Sequence, residues 1–254
     1  MRALLVARNT FREVVRDRVL MGLVIGGLVL LLVTRLASPL AMGEGLRLTV
    51  DLGLSSISWL GLLVVLTVGT ALVSKEIDRK TIFNLLSRPL PRPLYLIGKW
   101  LGLTGALAAV AAILGAALWL MLVALGHAGY AGAIAEAVFL ASLELAVINS
   151  LAVMFSALST PLLSALYTLG FFLGGQWCAD LRHLASRCPG SLRTLLEGAA
   201  NVMPNLPLFN MRTLAASGEV TSATHLAIAS VYALLYCGCV LSLASAAFES
   251  RDFK

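Results

Sequence analysis

Apolar runs recur along the chain at 19–34, 52–73, 100–126, about 132–158, 161–179 and 226–248, uncharged except for Glu136 and Glu144 in the fourth, and the short stretches between them hold nearly all the remaining charge. A helix needs roughly 20 apolar residues to cross the hydrocarbon layer, so the pattern predicts six membrane spans. The first run is short, but it is bracketed by Arg18 and Arg35, whose long side chains can snorkel to the headgroups. Glu13 and Asp17 precede it and no A-x-A site follows, so it is expected to be a permanent anchor and not a cleaved signal. Ser159-Thr160-Pro161 joins the fourth and fifth runs as a tight helical hairpin, with Thr160 as the cap and Pro161 in the first turn. Glycine pairs four apart, Gly22 with Gly26, Gly98 with Gly102 and Gly170 with Gly174, allow close helix approach within a bundle or across a dimer. No strand pattern, repeat or low-complexity tract interrupts this reading.

Two polar stretches are patterned. In residues 2–18, Arg8, Arg12 and Arg16 form one stripe at helical spacing, while Leu4, Ala7, Phe11, Val14 and Val15 fall mainly on the other face. This predicts an interfacial helix on the cytoplasmic leaflet, held by anionic lipid or docked on a soluble partner. The loop 74–99, SKEIDRKTIFNLLSRPLPRPLYLIGK, contains Glu76 four residues before Lys80 and places Ile82, Leu85 and Leu86 on one face. A short amphipathic helix is expected, ending near Ser87, with Pro89, Pro91 and Pro93 stiffening the chain until the next span begins near Lys99. Such a rigid knob can transmit force from a soluble partner.

Composition agrees with a membrane protein, because 59% of the 254 residues are hydrophobic and 13% charged, and the mean hydropathy is +0.91. One membrane domain, residues 1–254, uses the whole length and leaves little for a soluble catalytic domain. The excess of 19 Lys and Arg over 13 Asp and Glu does not indicate nucleic acid, because the basic residues flank apolar runs. It sets orientation instead. Residues 1–18, 74–99 and 249–254 carry five, six and two Lys and Arg, against two in 35–51 and four in 180–225. Positive charge stays inside, so both termini are expected to be cytoplasmic.

The 74–99 loop is similar to a cytoplasmic loop of the type-2 permeases of ATP-binding-cassette (ABC) transporters, especially those associated with multi-copper enzyme maturation. That family's loop runs roughly E-x-E-x-G-T-[IL]-x-x-L-L-[ST]-x-P-x-x-R and closes with G-K. Glu76, Asp78, Thr81, Ile82, Leu85, Leu86, Ser87, Pro89, Arg92, Gly98 and Lys99 match it in order, and Lys80 stands where the glycine is usual. The resemblance extends to the amphipathic N-terminus, the six spans and the short tail. It implies an all-α integral membrane protein with an interfacial helix, a coupling helix and a helical outer loop before the last span. It also implies a permease of an exporter in the bacterial inner membrane, paired with a second copy or a homologue and driven by two copies of a cytoplasmic ATPase. ATP and Mg would sit on that partner, and no cofactor on this chain. Glu76, Asp78, Arg79, Thr81, Ile82, Leu85, Leu86 and Arg88 would contact the ATPase.

Catalytic and metal chemistry find little support in the sequence. Gly98-Lys99-Trp100 lacks the hydroxyl residue of a P-loop. Leu173-Gly174-Gly175-Gln176 is similar to the signature of ABC ATPases but lies in an apolar run, so it is read as coincidence. His127, His183 and His225 fall at span ends or in outer loops, and Cys237 and Cys239 point in different directions on one helix. Cys178 and Cys188 both fall at the outer face and form a candidate disulfide pair. Glu144, near the middle of the fourth span with no evident cationic partner in another span, is costly at that depth; it is a candidate for the substrate path or for binding a cationic substrate group, with a protonated carboxyl hydrogen-bonded to a neighbouring helix as the structural alternative. Asn149 is a second candidate, with interhelical glue as its plainer role. In the 180–225 loop, Ser191 should start a helix to about Gly198, and Met203-Pro204-Asn205-Leu206-Pro207 should end it before a short turn near Phe209. The family resemblance makes this loop an outer gate. An intramembrane hydrolase or a non-transporting anchor for a signalling partner are the competing functions; the first needs a nucleophile and base at matching depth, and the second excludes ATP-dependent substrate movement.

Overall fold

The computed structural model describes residues 2–37, 44–71, 92–187 and 190–249, and these are helical with short connections. Arg2–Val15 is α1 and Arg18–Ala37 is α2. Gly45–Val64 is α3, which runs on into a π-turn at Val65–Gly69. Next come α4, Arg92–Ala124, and α5, Ala131–Leu158. Pro161–Gln176 is α6, and Cys178–Ala185 (α7), Ser191–Val202 (α8) and Arg212–Ala216 (α9) lead to the last helix, α10, Ala223–Glu249. Five of the helices are long and apolar enough to cross a membrane, and the bent pair α6–α7 makes a sixth if taken as one span. The all-α membrane architecture expected from the apolar runs is therefore observed.

Boundaries differ where charge is locally satisfied. The helix of the second span starts at Gly45, ahead of its apolar run, because Arg47 is held by Glu44 at 3.3 Å and by Ser217 Oγ at 3.0 Å. The next helix begins at Arg92 and not near Lys99; Pro93 falls in its first turn, where a missing N–H costs nothing. At 33 residues α4 is about 50 Å long, well beyond the roughly 30 Å hydrocarbon core, so one end must stand clear of it. In the α5–α6 hairpin Thr160 occupies the cap position without a side-chain bond; Ser164 Oγ donates instead to Phe155 O at 2.8 Å and Thr160 O at 2.9 Å. The fifth span stops at Gln176 and turns by 59°. Met203 and Leu206 press against Gly174 and Gly175 there, so a straight continuation has no room.

Packing fixes which elements share an end of the bundle. α1, the start of α4 and the far end of α10 lie together: Tyr95 and Leu96 pack with Val153, Ala157, Leu241 and Ala244. At the opposite end, Ser217 reaches Arg47, and Gly218 lies against Tyr130. α1 and the end of α10 are thus on one side of the bundle. Several hydroxyls inside the spans donate to carbonyls of their own helix, as with Thr34 on Leu31, Thr67 on Leu63 and Thr168 on Ser164. The π-turn is an exception to helical regularity, and Ser156 Oγ on α5 donates to Thr70 O just beyond it at 2.7 Å.

The glycine pairs part company. Gly98 and Gly102 form a notch on α4 into which α1 settles with Ala3, Val6, Ala7 and Thr10. Thr10 and Val14 are buried there, so the interfacial helix packs on its own chain. Lys99, also buried, reaches Glu13 of α1 at 3.8 Å and lies over the Tyr95 ring. Gly22 and Gly170 are exposed with nothing within 4 Å of an added Cβ. A methyl at Gly102 would stand 2.6 Å from both Ala7 O and Thr10 Cβ, which cannot yield without moving α1. Gly102→Ala should therefore destabilise the purified chain by about 1–3 kcal/mol, whereas Gly22→Ala should be neutral or gain up to about 1 kcal/mol from helix propensity. Thermal unfolding in detergent reads both, and equal effects would contradict the notch.

Candidate functional site

Among the described residues Glu144 is the best buried carboxylate, 1% exposed, and the fold surrounds it from three directions. Its place on α5 and that of Gln176 at the end of α6 are each about four turns above the α5–α6 hairpin, at about 22 Å. The two side chains meet, and Gln176 Nε2 donates to Glu144 Oε1 at 2.6 Å. From α3, Ser58 Oγ donates to Oε2 at 3.3 Å. Arg212, on the five-residue helix α9, brings its Nη2 to 4.0 Å from the same oxygen, and its Nη1 donates to Ser55 Oγ at 3.2 Å. The carboxylate thus has two direct hydrogen bonds and a looser ion pair with a guanidinium that is 18% exposed.

Arg212 reaches this depth because the segment before it folds back into the bundle. Pro204 ends α8, and the 3-10 turn Leu206–Phe209 then buries Leu206 and Phe209 in the core. Tyr232 OH accepts from Asn205 N at 2.8 Å, His225 bonds Leu208 O at 2.9 Å, and Glu136 accepts from Thr221 N. The helix from Ser191 and the turn near Phe209 expected from the sequence are both present; the turn and α9 cap the α3–α5–α6 junction, while α8 packs on α7. An arrangement of this kind can hold a charged centre closed and expose it when α9 withdraws.

The other sequence candidates lie elsewhere. Asn149, on another face of α5, donates to Trp100 O at 3.1 Å and Thr104 Oγ1 at 2.9 Å, so it joins α5 to α4 and not to the Glu144 centre. Arg8, Arg12 and Arg16 are exposed along α1. Cys178 is buried with its thiol on Ala200 O at 3.2 Å, while its proposed partner Cys188 lies outside the described residues. The coupling segment, with Glu76, Asp78, Arg79, Thr81, Ile82, Leu85, Leu86 and Arg88, also lies outside them. Sequence reasoning overlooked Ser58, Gln176 and Arg212. Gln176 was visible as a lone amide ending an apolar run, and Arg212 as a lone cation after a proline-rich break, but neither spacing pointed to Glu144.

A family model described as ABC-2 family transporter protein matches residues 4–177. The match takes in Ser58, Glu144 and Gln176 and stops short of Arg212. No curated protein matches the chain. Well over half of the length is covered, on a helical bundle with five or six candidate membrane spans, and the chain belongs to the ABC-2 family of transporter proteins.

Proposed function

We propose that this chain is the membrane permease subunit of an ATP-driven exporter in a bacterial inner membrane. It pairs with a second copy or a homologue, and two cytoplasmic ATPase subunits carrying ATP and Mg supply the energy through residues 76–88. The chain itself has no ATPase role. The observation that carries this reading is the buried centre at which Arg212 of the cap closes on Glu144. The cap lies at the end of the bundle opposite α1, and the basic segments 1–18 and 74–99 assign the α1 end to the cytoplasm. A transporter closed at its outer end and driven from its inner end moves substrate outward when the outer latch is parted. The surfaces available to lipid or a second copy are apolar, with Leu32, Leu36, Leu162 and Leu235 all more than half exposed.

An intramembrane hydrolase fits less well. Ser58 does donate to Glu144, but the serine is buried and the carboxylate is also engaged by Gln176 and Arg212, so the pair serves as an anchor and not as a nucleophile with a free base. Orientation and partner are tested together. With the four native cysteines replaced by alanine, an impermeant thiol reagent outside the cell should modify a cysteine at Ser217 and miss one at Asn84. The tagged wild-type chain, isolated from its own membrane, should bring with it a subunit that hydrolyses ATP. The reverse labelling pattern refutes the orientation, and a chain that isolates without an ATPase refutes the energy source.

A further inference from the structure

Beside the contact of α1 with α4 runs an apolar groove of about 660 Å³, bordered by Leu4, Leu5, Arg8, Phe11, Leu101 and Gly102. Its walls are two helices held in fixed register by the Gly98 and Gly102 notch and by the Lys99–Glu13 pair. Arg8 is its one charged lining residue, and among the described residues no carboxylate pairs with it. Glu13, the acidic residue of α1, is turned to Lys99 instead. Arg12 and Arg16 continue the positive stripe one and two turns beyond Arg8. Leu101 and Gly102 mark the start of the uncharged part of α4, just beyond Lys99.

We propose that this groove is a binding site for one anionic phospholipid, its phosphate on Arg8 and an acyl chain laid along Phe11, Leu101 and Gly102. Charge complementarity selects the headgroup, because an exposed arginine without a protein counter-ion at a membrane surface is matched by an anionic lipid. The apolar walls select a lipid over free phosphate, since they offer a soluble anion nothing. Because α1 is clamped to the foot of α4 next to the coupling segment in sequence, the bound lipid would brace the end of the bundle that an ATPase acts on. The site itself stands on the α1–α4 geometry and does not depend on the transport reading.

The test uses the full chain in phosphatidylcholine vesicles containing a small fraction of phosphatidylglycerol with a photoactivatable acyl chain, and cross-links are mapped by mass spectrometry. Labelling should concentrate in residues 4–11 and 98–105. Unlabelled phosphatidylglycerol should compete, and phosphatidylcholine and free glycerol phosphate should not. Arg8→Gln, at an exposed position, should lower labelling roughly five-fold, the share of one surface arginine, and Arg16→Gln by less than two-fold. Leu101→Trp, which fills the groove, should remove it with Arg8 intact. Equal labelling by a phosphatidylcholine probe, or no loss in Arg8→Gln, would mean bulk lipid merely wets the groove. Competition by glycerol phosphate would make the site one for a free anion, and chain-to-chain cross-links in place of lipid would assign the groove to a second copy; each of these overturns the proposal.

Discussion

Arg212→Ala should strip Glu144 of its cation and destabilise the closed cap by about 3 kcal/mol, toward the low end for a broken buried pair because the guanidinium keeps partial access to water. Ser58 and Gln176 would remain on the carboxylate, but neither neutralises it. The expected result in detergent is a lower unfolding temperature, together with easier proteolysis between α8 and α9. Glu144→Gln should be milder, since it leaves Arg212 with Ser55 and a route toward solvent. Combining Arg212→Ala with Glu144→Gln removes both charges and should recover most of the loss, giving a coupling energy of about 2 kcal/mol in the double-mutant cycle. In the assembled transporter Arg212→Ala should hydrolyse ATP while moving less substrate per ATP. Strictly additive single and double variants would show that the 4.0 Å separation is mere proximity and that the cap is held by its apolar anchors alone.

Leu85→Asp should release the ATPase. If the 76–87 segment fits a groove on that subunit, Ile82, Leu85 and Leu86 supply the buried contacts and Glu76, Asp78, Arg79 and Arg88 the rim. Buried apolar anchors dominate such interfaces, and an unpaired carboxylate in their midst is poorly tolerated, so affinity should fall about a hundred-fold or more. Glu76→Gln, a rim change, should weaken binding by less than ten-fold. Residue 85 lies between the apolar runs, so insertion and expression should be unaffected and serve as the control. Co-purification of the ATPase and its substrate-stimulated hydrolysis, both unchanged in a well-expressed Leu85→Asp chain, would exclude this loop as the coupling element.

The sequence by itself determined the class of molecule and the approximate limits of five spans, and it marked Glu144 as a charge inside an apolar run. These are one-dimensional properties: hydrocarbon demands about 20 apolar residues per crossing and penalises each charge according to its place in the run. Helical periodicity likewise revealed the arginine stripe of α1, because side chains four apart share a face whatever lies nearby. What that helix packs against was decided only in three dimensions. The Gly98 and Gly102 notch admits backbone as close as Ala7 O, so α1 buries Thr10 and Val14 on its own chain, although Thr10 is polar.

The surroundings of Glu144 were hidden for the same reason. Ser58 reads as one small residue among several, Gln176 as part of a coincidental Leu-Gly-Gly-Gln run, and Arg212 as one charge in a polar loop. They become a site because α6 ends at the height of Glu144 and because Leu206 and Phe209 anchor the cap deeply enough for the five-residue α9 to deliver Arg212. A buried charge needs partners, and the sequence shows that need; the partners come from separate helices whose relative heights and bends are set by packing, which only the tertiary structure specifies.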